Sequence, residues 1–139
     1  MTQEQKDLLL KDLCGRLPYG VKGMLCEDCI CTLDKVWTKK GYESVVFAGD
    51  YYDVDCFKPY LFPLSSMTEE QKNECFKGTP LEIDKYGDIS VKDNPYGNCQ
   101  YTDLEMYLEV IDWLLKNHFD IYGLIPMGLA IDCANLNIY

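Results

Sequence analysis

The sequence is poor in basic residues and in long apolar runs, and each shortage excludes a class of partner. It has 13 Lys and Arg against 23 Asp and Glu, which gives a net charge of −10. Because Lys and Arg neutralise the phosphates in nucleic-acid complexes, we expect no nucleic-acid partner. No apolar run approaches the roughly 20 residues that span a bilayer, so we expect no membrane insertion.

The sequence also lacks the motifs of common catalytic and targeting segments. It contains no Gly-rich phosphate loop, no His-Glu-x-x-His and no Gly-x-Ser-x-Gly. The only histidine, His118, falls at the end of a predicted helix, and we interpret it as structural. The polar N-terminus lacks the basic-then-apolar plan of a signal peptide, which favours a cytoplasmic location. We therefore assign no catalytic residue and no cofactor, and we favour a non-enzymatic protein.

The chain does have enough apolar residues for a core. Hydrophobic residues make up 47% of its 139 positions, which predicts one folded domain over residues 1–139. Thr2 and Thr68 each begin a helix-start pattern, the first helix running over 2–14 and ending at Gly15. Residues 21–26, 29–37 and 42–48 read as three strands of an antiparallel meander. Residues 81–84 and 88–91 alternate around a short turn, which predicts a hairpin.

A third helix is predicted from Thr102 to about Asn117, with a capping box formed by Thr102 and Glu105. Apolar residues recur along it at helical spacing and predict that Leu108, Ile111 and Leu115 pack against the sheet. The expected fold is α+β, with one antiparallel sheet of about five strands, meander plus hairpin, packed by a single layer of three helices. The apolar residues that recur along the third helix, which form its predicted apolar stripe, are Leu104, Tyr107, Leu108, Ile111, Leu114 and Leu115.

Eight cysteines are present, three of them within six residues. If Glu27 and Asp28 form a two-residue turn, Cys26 and Cys29 face each other and Cys31 lies on the same face as Cys29. This is the geometry of a zinc knuckle, but a structural zinc needs four ligands and no second Cys-x-x-Cys follows. We therefore predict no metal, and we keep a zinc-stabilised binding module as an alternative.

A short segment combines tyrosines and aspartates, and it is the predicted contact site for a protein partner. Residues 41–110 hold 14 acids and 5 bases, nearly all of the net charge. Within them, Tyr51, Tyr52, Asp53 and Asp55 combine contact area with charge that suits a basic partner. The competing interpretation is that the two tyrosines cover the hydrophobic core.

Three blocks of sequence resemble a family of short uncharacterised proteins encoded by gut-bacterial phages, prophages and other mobile elements. They are residues 8–22 (LLLKDLCGRLPYGVK), 57–71 (FKPYLFPLSSMTEEQ) and 113–132 (WLLKNHFDIYGLIPMGLAID). The resemblance implies a mobile-element origin and the cytoplasm of a bacterial host, and it carries no catalytic residue. Together with the residues, it favours a protein–protein interaction module that modulates a host or defence component. A small nucleotide- or ligand-binding protein, or an enzyme with a pocket invisible in the sequence, is the further alternative.

Overall fold

The first helix begins where its capping residues predict. In the computed structural model, which describes residues 1–39, 41–92 and 104–139, helix α1 is Gln3–Arg16. The Thr2 hydroxyl accepts from the backbone N–H of Gln5 at 3.2 Å, and the Gln5 side chain accepts from the backbone N–H of Thr2 at 2.9 Å. The predicted end at Gly15 is wrong. The helix passes through Gly15, continues as the 3-10 turn Leu17–Tyr19, and stops at Gly20, whose φ is +68°.

The predicted meander exists only in part. Its strands are β1 (Lys22–Leu25), β2 (Cys29–Thr32), β3 (Lys35–Lys39) and β4 (Tyr42–Phe47). The expected single strand over 29–37 is thus two strands in different sheets, since β2 pairs with β1 and β3 pairs with β4. The chain bends at Leu33, which is buried, and at Asp34, whose carboxylate accepts from the backbone N–H of Ala48 at 2.7 Å.

A proline lies inside a central strand of the four-stranded sheet. After β5 (Asp50–Asp53) and a 3-10 turn (Val54–Cys56), strand β6 (Phe57–Leu61) runs between β1 and β9 (Ile131–Asp132). Pro59 of β6 pairs with Gly23 of β1. The short β9 pairs only with Tyr60 and Leu61 of β6. Pro59 therefore has a paired strand residue on one side only, which a residue without a backbone N–H tolerates.

The second half of the chain forms a smaller helix and hairpin as predicted. Thr68 caps α2 (Glu69–Phe76), with the reciprocal hydrogen bonds to Gln71 that repeat the arrangement at Thr2. Strands β7 (Leu81–Ile83) and β8 (Ile89–Val91) form the antiparallel hairpin. Helix α3 is Leu104–Lys116, and the predicted cap at Thr102 lies outside the described residues.

The described residues make an α+β fold with three α-helices, and most strand pairs are antiparallel. The expected single sheet of about five strands is wrong. The strands form a four-stranded sheet (β2-β1-β6-β9), a three-stranded sheet (β3-β4-β5) and the β7-β8 hairpin. The β6–β9 pair is parallel. The prediction of one domain over residues 1–139 stays a prediction.

Two apolar clusters make the core. In the first, α1 packs on the two larger sheets through Leu9, Leu13, Val45 and Phe57, among other residues. In the second, α2 and β7 pack on α3 through Phe76, Leu81, Val110 and Leu114. Gly15 of α1 allows a close approach to α3, since a Cβ there would lie 3.2 Å from a methyl carbon of Leu115.

A buried ion pair ties α1 to the chain that leaves α3. Arg16 and Asp12 are both fully buried, and the guanidinium donates to the two carboxylate oxygens at 2.7 Å each. The same guanidinium donates to the carbonyl of Phe119 at 2.6 Å. Burial raises the pKa of Asp12, although the hydrogen bonds and charge of Arg16 oppose the rise. The pair therefore fixes where the end of α3 sits against α1.

Candidate functional site

The outward face of the three-stranded sheet gathers exposed aromatic side chains. Lys35 pairs with Val46, which pairs with Tyr51, and Trp37 pairs with Ser44 in the same ladder. Directly paired residues project on the same side of an antiparallel sheet, and alternate residues of a strand share a face. Trp37, Tyr42 and Tyr51 therefore share one face, which we call the aromatic face.

The aromatic face is open to solvent and has internal order. Trp37 is 48% exposed, Tyr51 57% and Tyr42 74%. The rings of Trp37 and Tyr51 meet edge to face, with centroids 6.4 Å apart and planes at 88°. The ammonium of Lys35 lies 5.7 Å from the centroid of the Tyr51 ring. This arrangement offers flat apolar area with a cation at its border, which suits contact with another macromolecule.

The two predicted tyrosines have different surroundings. Tyr51 lies on the aromatic face, whereas the side chain of Tyr52 is half-buried on the opposite face of β5. The Tyr52 ring packs on Phe47 with centroids 6.2 Å apart and adjoins the first core cluster. Tyr51 is therefore exposed, whereas Tyr52 covers part of the core, and the role of this segment in partner contact stays a prediction.

The two predicted aspartates are held by α1. The ammonium of Lys6 lies 3.5 Å from a carboxylate oxygen of Asp53 and 3.2 Å from one of Asp55. Asp53 also accepts from the backbone N–H of Asp55 at 3.0 Å, which caps the 3-10 turn after β5. The hydrogen bond that the Lys6 ammonium donates to Asp55, followed by the charges of both carboxylates, raises the pKa of Lys6. These aspartates therefore position the end of β5 beside α1.

The sequence reasoning missed two of the three aromatic residues. Trp37 ends one predicted strand and Tyr42 begins the next. Trp37 shares a strand face with Lys35 and Lys39, so that face is neither purely apolar nor purely polar and does not indicate which side is buried. A large aromatic residue between two lysines on one strand face is the signal that identifies an exposed aromatic position.

The cysteine cluster has a different arrangement from the one expected. Cys26 lies in the turn with φ +50°, and Cys29 pairs with Leu25, so Cys26 and Cys29 do not face each other. The turn is three residues long, since β1 ends at Leu25 and β2 begins at Cys29, and Glu27 within it also has a positive φ, of +68°. Across the described ranges, no three His, Cys, Asp or Glu side chains are grouped to hold a metal ion.

Cys26 instead adjoins a residue that is far away in sequence. Its backbone N–H donates to the carbonyl of Cys56 at 2.8 Å, which extends the β1–β6 ladder by one pair. Burial, followed by a hydrogen bond with the Cys26 side chain, raises the pKa of the Cys56 thiol. Both residues border a cavity of about 560 Å³ on the outer face of the four-stranded sheet. The remaining lining residues are Met24, Glu27, Asp55, Lys58 and Ile131.

His118 ends α3 and is buried. It has φ +62° and donates its backbone N–H to Leu115 at 3.1 Å, while Phe119 donates to Leu114 at 2.9 Å, which is the Schellman arrangement. Its ring stacks on Tyr139 with centroids 3.8 Å apart. Burial, assisted by the charges of Arg16 and Lys22, lowers its pKa to about 4. A neutral, stacked imidazole in this position serves the fold.

The class that the fold and surface define is a small α+β protein with an exposed aromatic face. No family model, curated protein or solved structure matches the chain significantly. No helix in the described ranges has the length and apolar character of a membrane span.

Proposed function

We propose that the chain is a non-enzymatic protein–protein interaction module that meets its partner through the aromatic face. The observation that carries this proposal is the exposure of Trp37, Tyr42 and Tyr51 on one side of the three-stranded sheet. Single exposed apolar residues are ordinary, but a group of large aromatic rings on one face marks an interaction surface.

The chemistry of the face supports a protein as the partner. Trp and Tyr are enriched at the centres of protein interfaces, where they supply contact area at low entropic cost. Lys35 and Lys39 border the rings, and Asp53 lies at the end of the same face. Mixed charge around an aromatic centre is typical of a polar interface rim.

The resemblance to mobile-element proteins supports a partner within a bacterial host cell. The proposed partner is a component of the host or of a defence system. Such a role needs a binding surface and no catalytic group.

A small-ligand site is a second candidate function, supported by the cavity beside Cys26 and Cys56. Its volume of about 560 Å³ falls within the roughly 300–1,000 Å³ typical of ligand pockets. Its lining joins apolar side chains to Lys58 and two carboxylates, which suits a small polar molecule.

Affinity capture from a gut-bacterial lysate tests the interaction module. The immobilised protein is compared with a Trp37→Ala/Tyr51→Ala variant and with Tyr86→Ala, which removes a solvent-exposed tyrosine from the β7–β8 turn. We expect one protein to be retained by wild type and by Tyr86→Ala, and its recovery to fall at least tenfold with the double variant.

Folding of the variants is checked by thermal melting. The edge-to-face contact contributes about 0.5–1.5 kcal/mol beyond the apolar area that the two half-exposed rings bury, so the melting curve must show that the double variant is folded. A partner that the folded double variant retains in full contradicts the assignment of the contact to this face.

A further inference from the structure

Helix α3 carries a second apolar face that the fold leaves exposed. Val110 and Leu114 are buried against α2 and β7. Leu104, Leu108 and Ile111 lie about a third of a turn away and are 71%, 57% and 41% exposed. Their spacing of four and then three residues is the repeat with which one helix packs along another.

A groove adjoins this exposed face. It lies between α3 and the β7–β8 hairpin, has a volume of about 250 Å³, and includes Ile111 and Tyr107 of α3 and Ile89 of β8. All nine lining residues are apolar or aromatic. The volume is below the roughly 300–1,000 Å³ of small-molecule sites, so the groove fits apolar side chains from a partner.

The other side of the exposed face is acidic. Glu105, Glu109 and Asp112 border a shallow depression of about 510 Å³ that also includes Leu108 and Ile111. The whole chain carries a net charge of −10. A second copy of the chain would bring the same acids and the same net charge to this border, and like charges across an interface repel each other.

We propose that this face of α3 docks an amphipathic helix of another protein that is flanked by Lys and Arg. Apolar residues of that helix at i, i+3 or i+4, and i+7 would lie along Leu104, Leu108 and Ile111. Its basic flank would meet the acidic border. The proposal goes beyond the interaction through the aromatic face, because it concerns a different surface and states the chemistry of the partner.

Selection from a displayed library of helical peptides tests the proposal without a known partner. The library keeps a helical scaffold and randomises both the apolar and the flanking positions, and selection uses the full chain. We expect the enriched peptides to carry Leu, Ile or Phe at the stated spacing with Lys or Arg beside them. Measured by fluorescence anisotropy, their affinity falls at least tenfold for Leu108→Glu and severalfold for Glu109→Lys.

Leu136→Glu is the matched control, since Leu136 is as exposed as Ile111 and lies outside both surfaces. Affinity is expected to be unchanged for this variant and for Trp37→Ala/Tyr51→Ala. The second comparison separates the two proposals, because the aromatic face can fail its own test while peptide binding persists.

Three results overturn the proposal. One is a selection that enriches no peptide, or peptides with acidic flanks. Another is binding that Leu108→Glu leaves unchanged while thermal melting shows both proteins folded. The third is a concentration-dependent dimer in sedimentation that Leu108→Glu abolishes, which assigns the face to a second copy of the chain.

Discussion

Breaking the buried ion pair of α1 should destabilise the fold more than any surface change. Arg16→Met removes a guanidinium that is fully buried and that donates to both oxygens of Asp12 and to the carbonyl of Phe119. Asp12 is then a buried charge with no cation, a state that costs about 3–5 kcal/mol. Small domains have roughly 5–15 kcal/mol of stability in total, so the loss is a large fraction of it.

The double variant Asp12→Leu/Arg16→Met separates the net contribution of the ion pair from the cost of leaving one buried charge unpaired. Apolar residues of similar volume often replace a buried ion pair at about no cost, so this variant should be markedly more stable than Arg16→Met alone. The free energy of unfolding is measured by urea titration with circular dichroism for the wild type, both single variants and the double variant.

The dependence on pH gives an independent check. Burial already raises the pKa of Asp12, and removing Arg16 removes the interactions that oppose the rise. A carboxyl whose pKa is higher in the folded state takes up a proton more readily there, so its penalty shrinks as pH falls. The loss caused by Arg16→Met should therefore be smaller at pH 4 than at pH 7. A loss below about 1 kcal/mol at pH 7, or a double variant as unstable as the sum of the singles, refutes the reasoning.

Three further predictions follow from burial. Because the pKa of His118 is lowered to about 4 in the folded state, protonation favours the unfolded state as pH falls from 6.5 to 4. The unfolding free energy of the wild type should therefore fall over this range by up to about 3 kcal/mol. His118→Phe should make that fall smaller in urea titrations. Leu114→Ala should cost about 2–5 kcal/mol in the same assay, whereas Ile111→Ala, at an exposed position, should cost less than about 1 kcal/mol. Iodoacetamide at pH 8, followed by peptide mass spectrometry, should label the exposed Cys29 well before the buried Cys75, whose thiol pKa burial raises to about 12.

Local patterns predicted the elements that depend on neighbours in sequence. The capping boxes at Thr2 and Thr68 and the β7–β8 hairpin are present because each is stabilised by hydrogen bonds within a few residues. The bend at Leu33 and Asp34 depends on partners elsewhere in the chain, namely Val21 and the β4–β5 turn, so alternation along 29–37 carried no sign of it.

In the candidate site, too, some features depend on distant parts of the chain and could not be predicted from local sequence. The exposure of Tyr51 and the ion pairs of Asp53 and Asp55 with Lys6 depend on which strand lies beside β5 and where α1 packs. The sequence carried no indication of the partner of each of these side chains, and the contact role of the segment stays a prediction. Asp12 and Arg16 stand four residues apart, a spacing usual for pairs on a helix surface, and only the packing of the chain after α3 buries them.

The wrong prediction for α3 and the proposed docking face have one cause. The stripe predicted from sequence placed Leu108 and Ile111 in the core, yet both are exposed; Leu114 of the same stripe is buried, together with Val110. The helix is apolar around more than half of its circumference, so periodicity alone allows several arcs to face inward. Packing against α2 and β7 selects one arc, and the other remains exposed beside three acids. A helix that needed only to complete this core would require one apolar arc. The described part of the chain leaves the second arc uncovered, and a docked helix is the occupant that we propose for it.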